Sequence, residues 1–228
     1  MSTTRTPRRV IVIRDGVFTL RNGKPASNII TYEGFCKRYL VAFDEVVMLG
    51  RLFHREDPTA LPVEGPGVLF LPLPGYHGPL GFVKALPSIV RMIWSTLDKN
   101  SYYILRIPAT IPSLYALLLF MKGIPFAVEV AADPYDTYGS QTSNSHPLAP
   151  LFRTLFVALT RWQCRAAVAT AYVTRNALQR RYPPRTAHSG FAFTSLDVAD
   201  KDFVKKPRTA GSFNLENPHV VLIGNMQK

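Results

Sequence analysis

Short, largely apolar runs recur along the chain at 10–13, 46–49, 68–71, 102–107 and 126–130, and the segments between some of them carry apolar residues at helical spacing. Continuous rather than alternating runs mark strands buried on both faces, the signature of a parallel sheet covered by other elements. The clearest unit spans residues 102–136. Two strands flank an apolar helical segment at 114–120, with Pro112 near its start and Gly123 after its end. Parallel strands need such a crossover, so this is one βαβ unit, and ligands of such sheets sit at the carboxyl ends of the strands. Arg106 and Asp133 fall at those ends.

The remaining pattern extends this unit in both directions. Residues 1–9 read as a disordered basic lead-in to a first strand at 10–13, followed by a loop bracketed by Asp15-Gly16 and Asn22-Gly23-Lys24. Ser27 or Asn28 is placed to cap a helix with Ile29, Tyr32, Cys36 and Tyr39 on one face. Strands at 46–50 and 68–71 follow, and Leu86, Ile89, Val90, Ile93, Trp94 and Leu97 recur as an amphipathic helix. Beyond the βαβ unit a polar segment runs to His146-Pro147. A long helix is predicted over 148–170, then a strand at 171–174, a helix at 176–182 stopped by Pro183-Pro184, and a strand within 186–193. The whole predicts an α/β fold, a Rossmann-like parallel sheet with helices on both faces. Its expected domain spans 10–204, with a linker at 205–218. An apolar run at 219–224 inside the last segment, 219–228, reads as the first strand of a second domain cut away after it.

Composition narrows the partners rather than the fold. The 228 residues are 47% apolar, which excludes a disordered chain, and 27 Lys and Arg against 15 Asp and Glu give a formal charge of +12. Such an excess points to an anionic partner: lipid head groups, nucleic acid or phosphorylated ligands. Only two cysteines, Cys36 and Cys164, lie far apart, so they read as core thiols of a reducing compartment. The apolar helical runs fall short of the roughly 20 residues that span a bilayer.

Between Asp136 and Asp197 there is no acidic residue, against seven arginines: Arg153, Arg161, Arg165, Arg175, Arg180, Arg181 and Arg185. On the long helix Leu148, Leu151, Phe152, Leu155, Phe156, Leu159, Trp162 and Ala166 centre on one side, with Arg153, Arg161 and Arg165 opposite. A core-packed helix with a solvated basic face is one reading. The lack of compensating acids favours contact with an anionic surface, in which Arg180 and Arg181 join. Elsewhere, Gly75-Tyr76-His77-Gly78 follows a strand and offers close backbone approach and a proton acceptor, or is an ordinary turn. Arg106 pairs with one of the nearby acids, Glu129 or Asp133, or faces a ligand. Tyr135, Asp136 and Tyr138 add hydroxyl and carboxylate groups suited to sugar hydroxyls. The loop at Gly16 lacks the GxGxxG spacing of a dinucleotide site, and no nucleophile-elbow, Walker A, HExxH or paired-cysteine motif is present.

The order of several short runs resembles a known family. Tyr103-Ile104-Leu105-Arg106-Ile107-Pro108 is followed by Gly123-Ile124-Pro125-Phe126-Ala127-Val128-Glu129-Val130 and by Asp133-Pro134-Tyr135-Asp136. Ala171-Tyr172-Val173-Thr174, Leu178-Gln179-Arg180-Arg181-Tyr182-Pro183 and Val221-Leu222-Ile223-Gly224 complete the series. Together they resemble the acceptor-side half of family 4 glycosyltransferases. The resemblance implies a GT-B enzyme of two Rossmann-like domains that moves a sugar from a nucleotide-sugar donor to an acceptor. It implies retention at the anomeric carbon, no essential metal and no cofactor. In that family the donor site lies mainly in the second domain, so this chain alone is expected not to transfer sugar.

Many relatives place a His after the strand matching 126–130. Here Val130-Ala131-Ala132-Asp133 stands there, so the resemblance assigns the catalytic position to Asp133 or to a distant His77. Gly16, Tyr76, His77, Arg106, Tyr135 and Asp136 are the expected acceptor-binding residues. Acceptors in bacterial polysaccharide assembly are often lipid-linked diphosphates, which implies a cytoplasmic enzyme peripheral on the inner face of the membrane. A non-catalytic anion- or membrane-binding α/β module is the alternative. A nucleic-acid binder ranks last, since basic and aromatic residues do not interleave on an exposed sheet.

Overall fold

The structure, a computed structural model, describes residues 7–137 and 149–194. The expected polar segment to His146, the linker at 205–218 and the strand at 219–224 lie outside the described residues, as does most of the N-terminal lead-in. Met1–Ser195 forms one compact unit, and the second, Leu196–Lys228, also lies outside them.

In chain order the elements are β1 (Arg9–Arg21), β2 (Lys24–Ser27), β3 (Glu45–Glu56), β4 (Leu61–Pro62), β5 (Val68–Pro74), α1 (Gly78–Thr96), β6 (Tyr102–Ile107) and α2 (Thr110–Met121). Then follow β7 (Ala127–Val130), α3 (Pro134–Thr137), α4 (Ala149–Ala166), β8 (Ala169–Tyr172), α5 (Ala177–Arg181) and β9 (Gly190–Ala192). The core sheet runs β5-β3-β1-β6-β7-β8-β9 with every neighbouring pair parallel. From β1 the chain winds outward through β3 to β5, then returns through α1 to β6 on the other side. The winding reverses between β1 and β6, and the topological switch point, the crevice where ligands of such sheets bind, lies at the carboxyl end of β6 where its pairing with β1 stops after Ile13.

Alternation along the strands gives the sheet two buried faces. Ile11 and Ile13 join Leu105, Ile107, Val128 and Val130 in one core, into which α1, α2 and α4 insert Ile89, Ile93, Tyr115, Leu119 and Cys164. Val10 and Val12 turn the other way, to Phe18, Val46, Met48 and Phe70, under Ile30, Phe35, Cys36 and Tyr39. Period-two alternation on a doubly covered sheet is why the runs read as unbroken.

The α/β fold class is as expected, and several elements differ. The helix expected from Ser27 or Asn28 onward is a short 3₁₀ turn at Cys36–Val41. The Ser27 hydroxyl accepts the Ile29 and Ile30 amides at 3.2 and 3.1 Å, and the Thr31 hydroxyl accepts that of Gly34 at 3.0 Å. These local bonds compete with helical ones and keep the segment irregular. The expected loop after residue 13 is instead the second half of β1, which carries on through Asp15 and Gly16 to a hairpin. Asn22 and Gly23, with φ of 52° and 72°, make the tight turn that pairs Arg21 with Lys24. Arg8 and Arg9, expected in the lead-in, ion-pair with Asp44 and Glu45 at 3.5 and 2.9 Å.

The long helix α4 is shorter than expected and rotated. It buries Phe156, Thr160, Gln163 and Cys164, while Leu151 and Leu155, expected in the core, face solvent. At its seam with α2, Gln163 Nε2 donates to Ser113 Oγ at 3.1 Å.

Candidate functional site

At the carboxyl edge of β1, β6 and β7, three arginines gather around one carboxylate. Arg14 and Arg106 project from the face opposite α2, and Arg38 comes down from the 3₁₀ turn. Arg38 Nη2 donates to Glu129 Oε1 and Oε2 at 3.0 and 2.9 Å, and Arg106 Nη1 to Oε2 at 3.0 Å. The Tyr39 hydroxyl donates to Oε1 at 2.9 Å. Glu129 is thus the shared acceptor of three donors, and the pairing of Arg106 with a nearby acid resolves to Glu129. Asp133 takes no part in it.

Arg14 makes no ion pair among the described residues. Its guanidinium lies 4.9 Å from the centroid of the Phe35 ring, which Arg38 and Arg106 also approach, at 4.0 and 5.2 Å. The negative face of one aromatic ring softens the repulsion among three cations without cancelling it. Burial, and then the neighbouring Arg106, lower the Arg14 pKa to about 10, with Tyr39 and Glu129 acting in the other direction. Three positive charges against one negative leave a cationic cradle suited to an anion with several oxygen acceptors. Phe193, just past β9, closes one side, with Arg38 and Arg106 at 5.8 and 5.9 Å from its ring.

A second cluster occupies the α2 side of the same edge. Asp15 and Arg51 form an ion pair at 2.6 Å, and Asp15 Oδ2 accepts the Ile111 amide at 3.3 Å in the first turn of α2. A carboxylate at a helix N-terminus is favoured by the free amides and the helix dipole. Arg51 also lies 4.6 Å from the Tyr76 ring centroid and donates to the Tyr76 carbonyl at 3.2 Å. Burial pushes the Tyr76 hydroxyl up to about 12, helped by Asp15 and opposed by Arg51. His77 stacks on Phe53, their ring centroids 4.6 Å apart, beside a cleft of about 330 Å³ that also touches His54 and Arg55.

The third cluster surrounds Asp133. Its Oδ1 accepts the Tyr182 hydroxyl at 2.6 Å and the Tyr135 amide at 2.9 Å, and its Oδ2 pairs with Arg181. Arg181 also reaches Asp136 at 3.6 Å, and Tyr135 lies between Arg153 and Arg181, each 4.8 Å from its ring centroid. Asp133 therefore caps α3 and braces β7 against the end of α5, with both carboxylate oxygens engaged by the protein.

Of the seven residues assigned to catalysis or the acceptor, six lie at the carboxyl edge, in three separate groups rather than one. Arg106 belongs to the cradle, Tyr76 and His77 to the α2 side, and Asp133, Tyr135 and Asp136 to the brace. Gly16 is closely packed: a side chain there would begin 2.6 Å from Ile30 Cδ1. The arginines expected on an uncompensated surface divide as well. Arg181 is neutralised by Asp133 and Asp136, which precede the acid-free stretch in sequence but meet it in space. Arg153 leans on Tyr135, and Arg161 Nε donates to the Arg181 carbonyl at 3.3 Å. Arg165 and Arg180 face solvent. Sequence reasoning missed Arg14, Asp15, Arg38, Tyr39 and Arg51 as site residues. Only Arg14 and Asp15 carried a signal, since charges directly after a buried strand mark its ligand edge. Among the described residues no group of three or more His, Cys, Asp or Glu is placed to hold a metal ion.

Both cysteines are buried. Burial pushes their thiols up to about 12, with Arg38 and Arg14 opposing at Cys36 and a hydrogen bond with Tyr172 opposing at Cys164. Native protein is therefore expected to resist a thiol reagent such as dithionitrobenzoate at pH 8, and to react at both cysteines once unfolded. Rapid native labelling would contradict the burial. The unfolded thiols ionise near the ordinary value of 9.0 while the folded ones stay protonated to about 12. Their contribution to stability is thus complete below pH 9 and lost as pH rises toward 12, at about 1.4 kcal/mol per unit of separation. Urea titrations across that range check it.

The fold and its edge define the class: a doubly wound α/β protein with a cationic, aromatic-lined site beside the switch point. No protein-family model matches the chain, and no curated protein matches it. Among solved structures it is similar to the UDP-N-acetylglucosamine 2-epimerase from Rickettsia bellii, at TM-score 0.44 and 10% identity over 82% of this chain and 44% of that one. It is also similar to a UGT transferase from Siraitia grosvenorii in complex with UDP, at TM-score 0.39 and 11% identity over 77% of this chain and 47% of that one. The chain spans less than half the length of either structure. The α/β assignment rests on strand order and register.

Proposed function

We propose that this chain is the acceptor-side domain of a nucleotide-sugar-dependent glycosyltransferase of the GT-B, family 4 type. In this reading it is retaining, metal-independent and engaged in bacterial polysaccharide synthesis on the cytoplasmic face of the membrane. The observation that supports it most is the cradle of Arg14, Arg38 and Arg106 around Glu129 at the switch-point edge. A lipid-linked diphosphate acceptor presents the multidentate anion that such a cradle takes, through charge-assisted hydrogen bonds worth about 1.5–3 kcal/mol each. Tyr76, His77, Tyr135 and Asp136 lie along the same edge and are assigned to the sugar hydroxyls of the acceptor. Asp133 is assigned a positioning role there, holding Tyr135 and the end of α5 in place.

Pyrophosphate and farnesyl diphosphate, titrated calorimetrically, test the anion site. Binding is expected to weaken with salt and to fall at least about tenfold in Arg14→Ala and in Arg106→Ala. No heat and no thermal stabilisation at millimolar pyrophosphate would remove the cradle as an anion site. The transferase reading itself is tested with the whole natural protein, by transfer of labelled sugar from a nucleotide-sugar donor to an isoprenoid-diphosphate-linked acceptor. Absence of transfer with a panel of donors would sink it.

A further inference from the structure

The helix layer on the far side of the sheet from the cradle has an unusual surface. None of α1, α2 and α4 contains a single Asp or Glu. Their solvent side nonetheless exposes large apolar side chains. On α1, Leu80 is 79% and Trp94 52% exposed, with Val83 also out and Lys84 and Arg91 on the same stripe. On α2, Phe120 is 56% and Met121 69% exposed. On α4 the rotation described above leaves Leu151 and Leu155 outside, with Arg161 and Arg165 about two to four turns further along.

These positions are joined across the three helices. Lys122 Nζ, at the end of α2, lies 3.9 Å from the Trp94 ring centroid, and Phe120 packs edge-on to Trp162 of α4 at 5.6 Å. Aromatic rings and long cationic stems at one end of an acid-free apolar layer make an amphipathic boundary, apolar at the body and charged at the rim. Monomeric proteins seldom expose an apolar surface of this kind without a use for it. A protein partner would accept charges of either sign, whereas a layer purged of acids complements one sign alone.

We propose that the solvent side of α1, α2 and α4 docks on an anionic lipid surface. The aromatic and aliphatic side chains enter the head-group region, and Lys84, Arg91, Lys122, Arg161 and Arg165 meet the lipid phosphates. Contact is interfacial, since among the described residues no helix is long and apolar enough to cross a membrane. Of the arginine face expected from sequence it keeps Arg161 and Arg165 and leaves out Arg181, paired with Asp133 and Asp136, and Arg153, which leans on Tyr135. For its purpose the proposal rests on the reading above, because a lipid-linked acceptor lies in a bilayer. Its geometry stands on separate residues.

The two tryptophans of the chain, Trp94 and Trp162, both lie in this layer and report on it directly. With phosphatidylcholine vesicles containing about 30% phosphatidylglycerol, the protein is expected to sediment. Its emission should shift to the blue and be quenched by brominated acyl chains. Pure phosphatidylcholine should bind far less. The triple variant Lys84→Glu, Arg91→Glu, Arg165→Glu should lose at least about tenfold in affinity. Leu80→Ser with Leu151→Ser should keep the salt dependence and lose the spectral shift. All these side chains face solvent, and unchanged circular dichroism verifies the fold of each variant. Equal binding to neutral vesicles, no binding, or full binding by the triple variant overturns the proposal. So does a concentration-dependent dimer abolished by Met121→Lys in protein that ignores vesicles, which would give the layer to a second copy. Pyrophosphate titration separates this from the function reading, since the triple variant should bind pyrophosphate as the parent does. Vesicle binding without pyrophosphate binding would leave the lipid face standing and remove the cradle.

Discussion

Replacing Glu129 with Ala is expected to lower the stability of the fold by about 3 kcal/mol, because it leaves buried cations without their shared counter-ion. Glu129 and Arg106 are each only 11% exposed at the side chain, and Arg38 is 31% exposed. The loss also strands the buried Tyr39 hydroxyl, whose ionisation is already pushed upward by burial first and by Glu129 second. Urea unfolding followed by circular dichroism measures the change, and for a chain of this size it corresponds to a fall of about 6–12 °C in Tm. Pyrophosphate should rescue the variant more than the parent, since an added anion then takes the place of the carboxylate. Adding Arg106→Met to Glu129→Ala should recover part of the loss, as removing both members of a buried pair is less costly than removing one. A change below about 0.5 kcal/mol would show that the arginines are already solvated and that no desolvated cradle exists.

Asp133→Ala is the second large effect, and it is expected to destabilise the fold by about 2 kcal/mol, the worth of a buried hydroxyl bonded to a carboxylate. Tyr182 is fully buried and its hydroxyl donates to Asp133 at 2.6 Å. Alanine strands that donor, uncaps α3 and frees Arg181. Asp133→Asn keeps an acceptor for Tyr182 and loses only the charge, so it should fall between Ala and the parent. The Arg181 side chain is 39% exposed, so its ion pair adds little to the total. If Asp133→Ala unfolds at the same urea concentration as the parent, the brace is not a support and the carboxylate is free for a ligand after all.

Both effects depend on contacts between positions that no local pattern joins. Arg38 and Glu129 are 91 positions apart, and Arg181 and Asp133 are 48 apart. The sequence left the partner of Arg106 open between Glu129, Asp133 and a ligand, and the parallel register of β6 and β7, with Arg106 opposite Glu129, decided it. The sequence did not show Arg38, which reaches the same carboxylate from an irregular segment whose path is set by Ser27 and Thr31 side chains and by packing on the sheet. The acid-free run after Asp136 hid the acidic partners of Arg181 for the same reason. Charge counted along the chain takes no account of an acid brought in from before the run.

What the sequence by itself determined is the architecture: buried parallel strands, the βαβ unit, and the edge where Arg106 and Asp133 fall. Those features follow from short-range physics, since runs of apolar residues, helix period and Gly or Pro punctuation act within a few positions. Tertiary structure alone decided which charges meet and which apolar residues stay outside. It gathered Arg38 and Arg106 on Glu129 with Arg14 beside them over Phe35, closed Asp133 between Arg181 and Tyr182, and turned α4 so that Gln163 met Ser113 while Leu151 and Leu155 faced outward. The side of a helix that is buried depends on the fit of its neighbour, and the partner of a charge depends on which loop arrives beside it. Neither is encoded in periodicity.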